Sequence, residues 1–183
     1  MRILTKEEFL YNLERFSKEI KNGAIFIYPT DTIYGLGCSA LDEKAVQKVR
    51  KLKNRPDSPL SVIAPSKEWI KNNCEVKNLD LLPGPYTLIA KLKKNNVVVK
   101  QVNLGQKTLG IRIPNHWISD VITFLKLPVV TTSVNKAREQ FMTSLEDLNE
   151  EIKSKVDFIV YEGKIKSPPS KIIDLTKGTE RER

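Results

Sequence analysis

Ala24-Ile25-Phe26-Ile27-Tyr28-Pro29-Thr30-Asp31-Thr32-Ile33-Tyr34-Gly35-Leu36-Gly37 is the stretch that decides how this chain is read. Its first five residues are an unbroken apolar run, as expected of a short buried strand. Pro29 then removes a backbone donor, so ladder pairing stops and the chain leaves the sheet. Two hydroxyls and a carboxylate follow at Thr30, Asp31 and Thr32, while Gly35 and Gly37 permit positive φ or close approach of the backbone to a ligand. In α/β sheets such strand-end loops commonly line the binding site. The same residues also suit an ordinary turn in which Thr and Asp satisfy their own backbone, so other segments must decide.

Two further segments carry chemistry. Arg50, Lys51, Lys53 and Arg55 crowd the end of a predicted helix that Pro56 stops. The helix dipole accounts for Arg50 and Lys51. Lys53 and Arg55 flank Asn54 at alternate positions, and in an extended segment both would project to one side and grip an anion, Arg55 bidentately. Val129-Val130-Thr131-Thr132-Ser133-Val134-Asn135 reads as a strand whose end turns polar, with Ser133 and Asn135 on one face by the two-residue period.

Composition bounds the rest. The 183 residues suit one domain with a sizeable core, and 40% hydrophobic with 29% charged residues is a globular composition. No apolar run reaches the length of a membrane span and Met1 to Leu10 lacks a signal-peptide core, which predicts a cytoplasmic protein without membrane partners. Cys38 and Cys74 lack CxxC spacing and have a single histidine, His116, for company, so neither a zinc site nor a disulfide framework is expected. The net charge is +9, and no acidic residue lies between Asp80 and Asp120, where Lys91, Lys93, Lys94, Lys100, Lys107 and Arg112 stand. Such a window suits a positive face that attracts nucleotides or RNA, or simply a lysine-rich solvated surface. Arg112 differs from the lysines because it sits in an otherwise apolar strand, where a charge must face a polar cleft.

Helix and strand signals alternate unevenly. Thr5 with Glu8 makes a capping box for a helix whose apolar stripe is Phe9, Leu10, Leu13, Phe16 and Ile20, ending at Gly23. Asp42 caps a second helix with Ala45, Val46, Val49 and Leu52 inward, and Ser66 caps a short third one. Further helices are expected from Trp117 to Leu125 and from Ser144. Strands are expected at 24–28, 60–64, 86–92, 109–113, 129–132 and 158–160, and residues 176–183 read as a polar tail. The pattern predicts an α/β sheet with mixed pairing and no internal repeat.

Taken together, the segments resemble the YrdC-like family of L-threonylcarbamoyladenylate synthases from about Gly23 to Asp174. The family's loop P-T-[ED]-T-x-Y-G-L-G stands at Pro29 to Gly37, its K-x-R-P at Lys53 to Pro56 and its P-G-P-x-T at Pro83 to Thr87. Its x-x-x-R-x-P stands within Thr108 to Pro114 and its S-x-N at Ser133 to Asn135, all in the family's order. The resemblance implies a YrdC/RibB-like α/β fold, a single domain over residues 1–183 whose twisted mixed β-sheet is flanked by helices and presents a concave, basic, ligand-binding face.

The chemistry so implied is condensation of L-threonine, bicarbonate and ATP to threonylcarbamoyl-AMP and pyrophosphate, feeding N6-threonylcarbamoyladenosine in tRNA. Mg2+ accompanies ATP and no protein-bound metal is implied. The family pattern makes Lys53, Arg55, Ser133 and Asn135 the catalytic tetrad. It sets threonine against Thr32, Arg112, Ser133 and Ser170, and ATP against Lys53, Arg55, Ser58, Thr108, Asn135 and Thr143. Implied partners also include tRNA or structured RNA and the threonylcarbamoyl-transfer machinery. Where the family often has R-P-G after the equivalent of Asp174, only Arg181 or Arg183 can serve here, and Ile63 replaces a histidine common in the family. Two other readings stay open: an RNA-binding module of the same fold without catalysis, and a carbamoyl-adenylating domain that uses carbamoyl phosphate in place of threonine and bicarbonate.

Overall fold

The computed structural model describes residues 1–137 and 139–181. Its elements run β1 (Arg2–Leu4), α1 (Lys6–Tyr11), α2 (Leu13–Lys21), β2 (Phe26–Tyr28), β3 (Gly35–Gly37), α3 (Glu43–Lys53), β4 (Ser61–Ile63), α4 (Lys67–Asn73) and β5 (Cys74–Glu75). They continue with β6 (Tyr86–Leu92), α5 (Lys100–Asn103), β7 (Thr108–Arg112), α6 (Ile118–Leu125), β8 (Val129–Ser133), α7 (Glu150–Lys155), β9 (Phe158–Val160), β10 (Lys171–Asp174) and β11 (Thr179–Arg181).

The strands form one mixed sheet in the order β1-β9-β2-β3-β8-β4-β7-β6-β10-β11, with β5 paired to β6. β2-β3-β8-β4 is a continuous antiparallel run, while β4/β7 and β6/β10 are parallel. Mixed pairing therefore holds as the sequence predicted.

Local signals set most helix ends. Thr5 Oγ1 accepts the Glu8 amide at 3.2 Å while the Glu8 carboxylate accepts the Thr5 amide at 2.8 Å, completing the expected capping box. Thr5→Ala should cost about 0.5–2 kcal/mol, read as a lower denaturation midpoint with unchanged slope. The expected single N-terminal helix is broken at Asn12, whose φ of −107° and ψ of 26° leave the helical region. As a result Leu10 is exposed, while Phe9, Phe16 and Ile20 are buried. Asp42 caps α3 through the Ala45 amide at 2.9 Å, and Asn54 closes that helix in the left-handed region at φ 46°. Lys53 is thus the last residue of a helix and is followed by a left-handed cap. The extended segment expected for Lys53 to Arg55 is not formed.

Two cores lie on opposite faces of the sheet. Leu36, Val62, Leu88, Ile111, Val130 and Ile159 pack with residues of α3, α4, α5 and α7 on one face. On the other, Phe26, Tyr28, Ile63, Val129, Phe158 and Val160 pack with Phe9, Phe16, Ile20 and the apolar side of α6. The Phe16 and Phe158 rings lie 4.9 Å apart, and those of Phe26 and Phe158 5.2 Å. The sheet residues of this second core come from β2, β4, β8 and β9 and none from β6, β7 or β10.

The residues read as a polar tail include β11, which pairs antiparallel with β10 through Ile172 and Arg181. Glu182 and Arg183 lie outside the described residues. Gly35 and Gly37 also differ from expectation: they form strand β3, paired with Tyr28 and Phe26 on one side. A Cβ on Gly35 would meet the Tyr28 ring at 2.7 Å, and one on Gly37 would meet Val130 O at 2.2 Å. Both glycines make room for the Tyr28 ring, whose hydroxyl donates to Val130 O at 3.1 Å. The close approach they allow is to the protein's own tyrosine.

Candidate active site

Period-two alternation explains how a polar cavity arises on this sheet. On β6 and β7 the residues Leu88, Ala90, Leu109 and Ile111 join the first core, so Thr87, Ile89, Thr108, Gly110 and Arg112 face the other way. There no second-core residue covers β6, β7 or β10. The uncovered half holds a cavity of about 370 Å3. Ser61, Thr87, Thr108 and Ser133 supply its hydroxyls, Gln106 an amide, and Pro59, Leu60, Ile89 and Ile172 apolar surface. Gly110 is opposite Ser61 in the β4/β7 register, and a Cβ there would come within 2.5 Å of Ser61 Oγ. Glycine at this position keeps the floor open.

Among the described residues, Arg55 and Arg181 are the charged groups lining the cavity, and no carboxylate lines it. Burial, reinforced by the like charge of Arg181, lowers the Arg55 pKa from its usual value. Such a pair of cations suits an anionic ligand that would relieve their mutual repulsion. The loop before the cavity is held by Arg50, which donates to Ser58 O at 3.0 Å, Gln101 O at 3.3 Å and also Pro56 O. Arg50 therefore braces the loop from within, a role beyond the dipole interaction expected for it.

Lys53, Ser133 and Asn135 meet behind the cavity. The buried Lys53 ammonium donates to Ser133 O at 2.7 Å, Ser133 Oγ at 3.3 Å and Asn135 Oδ1 at 2.5 Å. Ser133 Oγ donates to Asn135 Oδ1 at 2.6 Å, and Asn135 Nδ2 donates to Glu139 O at 2.6 Å. The Ala137 amide closes the group on Lys53 O at 2.9 Å. Residues some eighty positions apart thus converge, with Ser133 joining the cluster to the cavity that Arg55 flanks.

Arg112, at the end of β7, is buried and paired inside the protein. Its Nη2 donates to Asp31 Oδ1 at 2.5 Å, and both terminal nitrogens donate to Thr32 Oγ1 at 3.2 Å. Burial lowers its pKa and the neighbouring Asp31 carboxylate opposes that. The Asn115 amide donates to the other Asp31 oxygen at 2.9 Å. Thr30 Oγ1 donates to Ile33 O at 2.7 Å, so the Thr30–Thr32 hydroxyl contact is donated by Thr32. With that donation and two accepted bonds, the Thr32 hydroxyl is fully engaged in positioning Arg112.

The other expected residues divide. Thr108 lines the cavity. Ser170 stands behind it, buried, with its hydroxyl 2.9 Å from that of the lining residue Thr87. Ser58 and Thr143 are not among the lining residues; the Thr143 amide and hydroxyl bond to Asp147 at the following 3-10 turn. The sequence reading did not single out Ser61, Thr87, Gln106 or Gly110 as site residues. The signal for Gly110 was its place two residues before Arg112, on the same side of the strand. Cys38 and Cys74 are buried free thiols that pack as small core residues. Among the described residues no group of three or more His, Cys, Asp or Glu side chains could hold a metal ion, and no helix is long and apolar enough to cross a membrane.

A mixed sheet with one half bare, its polar cavity flanked by Arg55 and Arg181, defines an α/β protein. A family model designated Sua5/YciO/YrdC and described as telomere recombination matches residues 18–182, and the chain belongs to this family. A Methanocaldococcus jannaschii protein provisionally named threonylcarbamoyl-AMP synthase is 37% identical over 182 residues, covering 94% of this chain and 84% of that one. The threonylcarbamoyl-AMP synthase of Pyrococcus abyssi is 32% identical over 168 residues, 86% of this chain and 49% of that one. The crystal structure of P. abyssi Sua5 complexed with L-threonine superimposes with a TM-score of 0.83 at 26% identity, covering 98% of this chain and 55% of that one. This chain therefore spans about half the length of the P. abyssi protein and most of the M. jannaschii one.

Proposed function

We propose that this chain is a cytoplasmic L-threonylcarbamoyladenylate synthase, which condenses L-threonine, bicarbonate and Mg2+-bound ATP to threonylcarbamoyl-AMP and pyrophosphate for N6-threonylcarbamoyladenosine formation in tRNA. One observation carries the reading: a cavity flanked by Arg55 and Arg181, with no carboxylate among its described lining residues, meets the Lys53–Ser133–Asn135 cluster at Ser133. The names of the relatives and the threonine complex of P. abyssi Sua5 support it.

In this reaction the threonine amine adds to the bicarbonate carbon with loss of water. An oxygen of the resulting carbamate attacks the α-phosphorus, and pyrophosphate leaves. Holding the reactants together and offsetting negative charge at phosphorus are what the protein must supply. Lys53, fixed by its acceptors, and Arg55, at the cavity wall, are the cations for that task, with Thr108 a hydroxyl contact to the nucleotide. No side-chain nucleophile is required. Arg112, Thr32 and Ser170 form the threonine end of the proposed site.

Purified protein supplied with ATP, Mg2+, bicarbonate and labelled L-threonine should release pyrophosphate and form a labelled adenylate only when threonine and bicarbonate are both present. Equal turnover with carbamoyl phosphate and no threonine would reassign the chain to carbamoyl adenylation. RNA binding without any pyrophosphate release would reassign it to a binding module. Arg55→Ala should weaken ATP binding roughly ten- to hundred-fold, the worth of a charge-assisted bond of about 1.5–3 kcal/mol, whereas the exposed Lys94→Ala should change it less than two-fold. Equal losses at both positions in a nucleotide titration would remove Arg55 from the site.

A further inference from the structure

We infer that Asp31 and Arg112 together read the two charges of a free α-amino acid, Arg112 taking the carboxylate and Asp31 the α-ammonium. The inference rests on the proposed role of Arg112 as carboxylate ligand and adds a partner to it.

Three observations carry it. Arg112 is 4% exposed, and its Nε is buried without an acceptor among the described residues, although both terminal nitrogens are bonded. A buried donor of that kind calls for an acceptor from outside the fold. Asp31 is held by Arg112 Nη2 at 2.5 Å and by the Asn115 amide at 2.9 Å, so its carboxylate is fixed in direction beside the same guanidinium. Its side chain is 12% exposed, against 5% for Arg112, so Asp31 is the more accessible member of the pair, and each of its oxygens keeps a lone pair beyond the bond it accepts.

A ligand carboxylate that satisfied Arg112 Nε would set a second negative charge next to Asp31. One guanidinium shared by two carboxylates leaves an excess negative charge, which a second positive charge beside Asp31 offsets. An α-amino acid carries its ammonium on the carbon adjoining its carboxylate and so brings the required charge with it. A hydroxy acid does not. Thr32, with its hydroxyl already saturated, holds the guanidinium and cannot make this distinction.

The test compares equilibrium binding of L-threonine with that of 2,3-dihydroxybutanoate, in which a hydroxyl replaces the ammonium. Wild-type protein should bind threonine at least ten-fold more tightly. Asp31→Asn should lose about ten-fold in threonine affinity and little for the hydroxy acid, closing the gap to within two-fold, while Asp31→Glu should keep a gap. No gap in the wild type, or a full gap in an Asp31→Asn protein that melts normally, would overturn the inference. If Asp31→Asn does not fold, the wild-type gap and the Asp31→Glu variant decide by the same criteria. Arg112→Lys separates the two levels. Weakened binding of both ligands with an undiminished gap in Asp31→Asn would overturn the role of Asp31 alone. Unchanged binding of both in Arg112→Lys would overturn the carboxylate role of Arg112 and this inference with it.

Discussion

Replacing Arg112 by alanine should lower the unfolding free energy by about 3–5 kcal/mol, the usual cost of removing one partner of a buried ion pair. The guanidinium is held by Asp31 and Thr32 and is 4% exposed, so its loss leaves a carboxylate without its counter-charge and a gap at the end of β7. For a chain of this size the melting temperature should fall by roughly 10 °C. Arg112→Lys keeps the charge and should recover much of that stability. A flexible ammonium cannot reproduce the planar fork, however, so threonine affinity should still fall roughly ten-fold or more while ATP binding changes little. Thermal melts and a threonine titration on the two variants measure these effects separately. A lysine variant with wild-type stability and wild-type threonine dependence would confine Arg112 to a structural role.

Gly37→Ala should destabilise the protein by about 3 kcal/mol or more, at the upper end of what overpacking costs. The new methyl would lie 2.2 Å from Val130 O and 2.9 Å from the Tyr28 ring, and the first of these is backbone in a neighbouring strand. No rotamer change relieves it, so β3 and β8 must separate. Gly163→Ala is the useful comparison: among the described residues nothing lies within 4 Å of its Cβ, and its cost comes from a φ of +86°, about 1 kcal/mol. Denaturant titrations of both variants check the difference, and equal losses would show that the Tyr28 packing imposes no demand on β3.

The parts of this fold legible in the sequence are those written in local chemistry. Thr5, Asp42 and Ser66 each cap the helix expected of them, and the strand runs at 86–92, 129–132 and 158–160 recur within a residue or two. The convergence of Lys53 with Ser133 and Asn135 was legible through motif order. Features set by distant partners were not. Asp31 and Arg112 are 81 residues apart, and nothing local says that each will take the other as partner. Gly-Leu-Gly at 35–37 has the composition of a turn, and only the ring of Tyr28 laid across it explains a strand there. Likewise Thr179–Arg181 offers no apolar alternation, because a strand exposed at every position needs none.

That last strand gives the cavity walls of unequal permanence. Among the described strands β11 pairs with β10 alone, with all three residues exposed, yet it carries Arg181 into the cavity, whereas the opposite wall is built on strands in the middle of the sheet. Segments with few buried contacts open at far lower free energy than the core to which they are attached. The Arg181 wall is therefore the door and the β4–β7 wall the frame: the amides of β11 should exchange with solvent long before those of β7, and an anion bound between Arg55 and Arg181 should slow that exchange by tying the door to the frame.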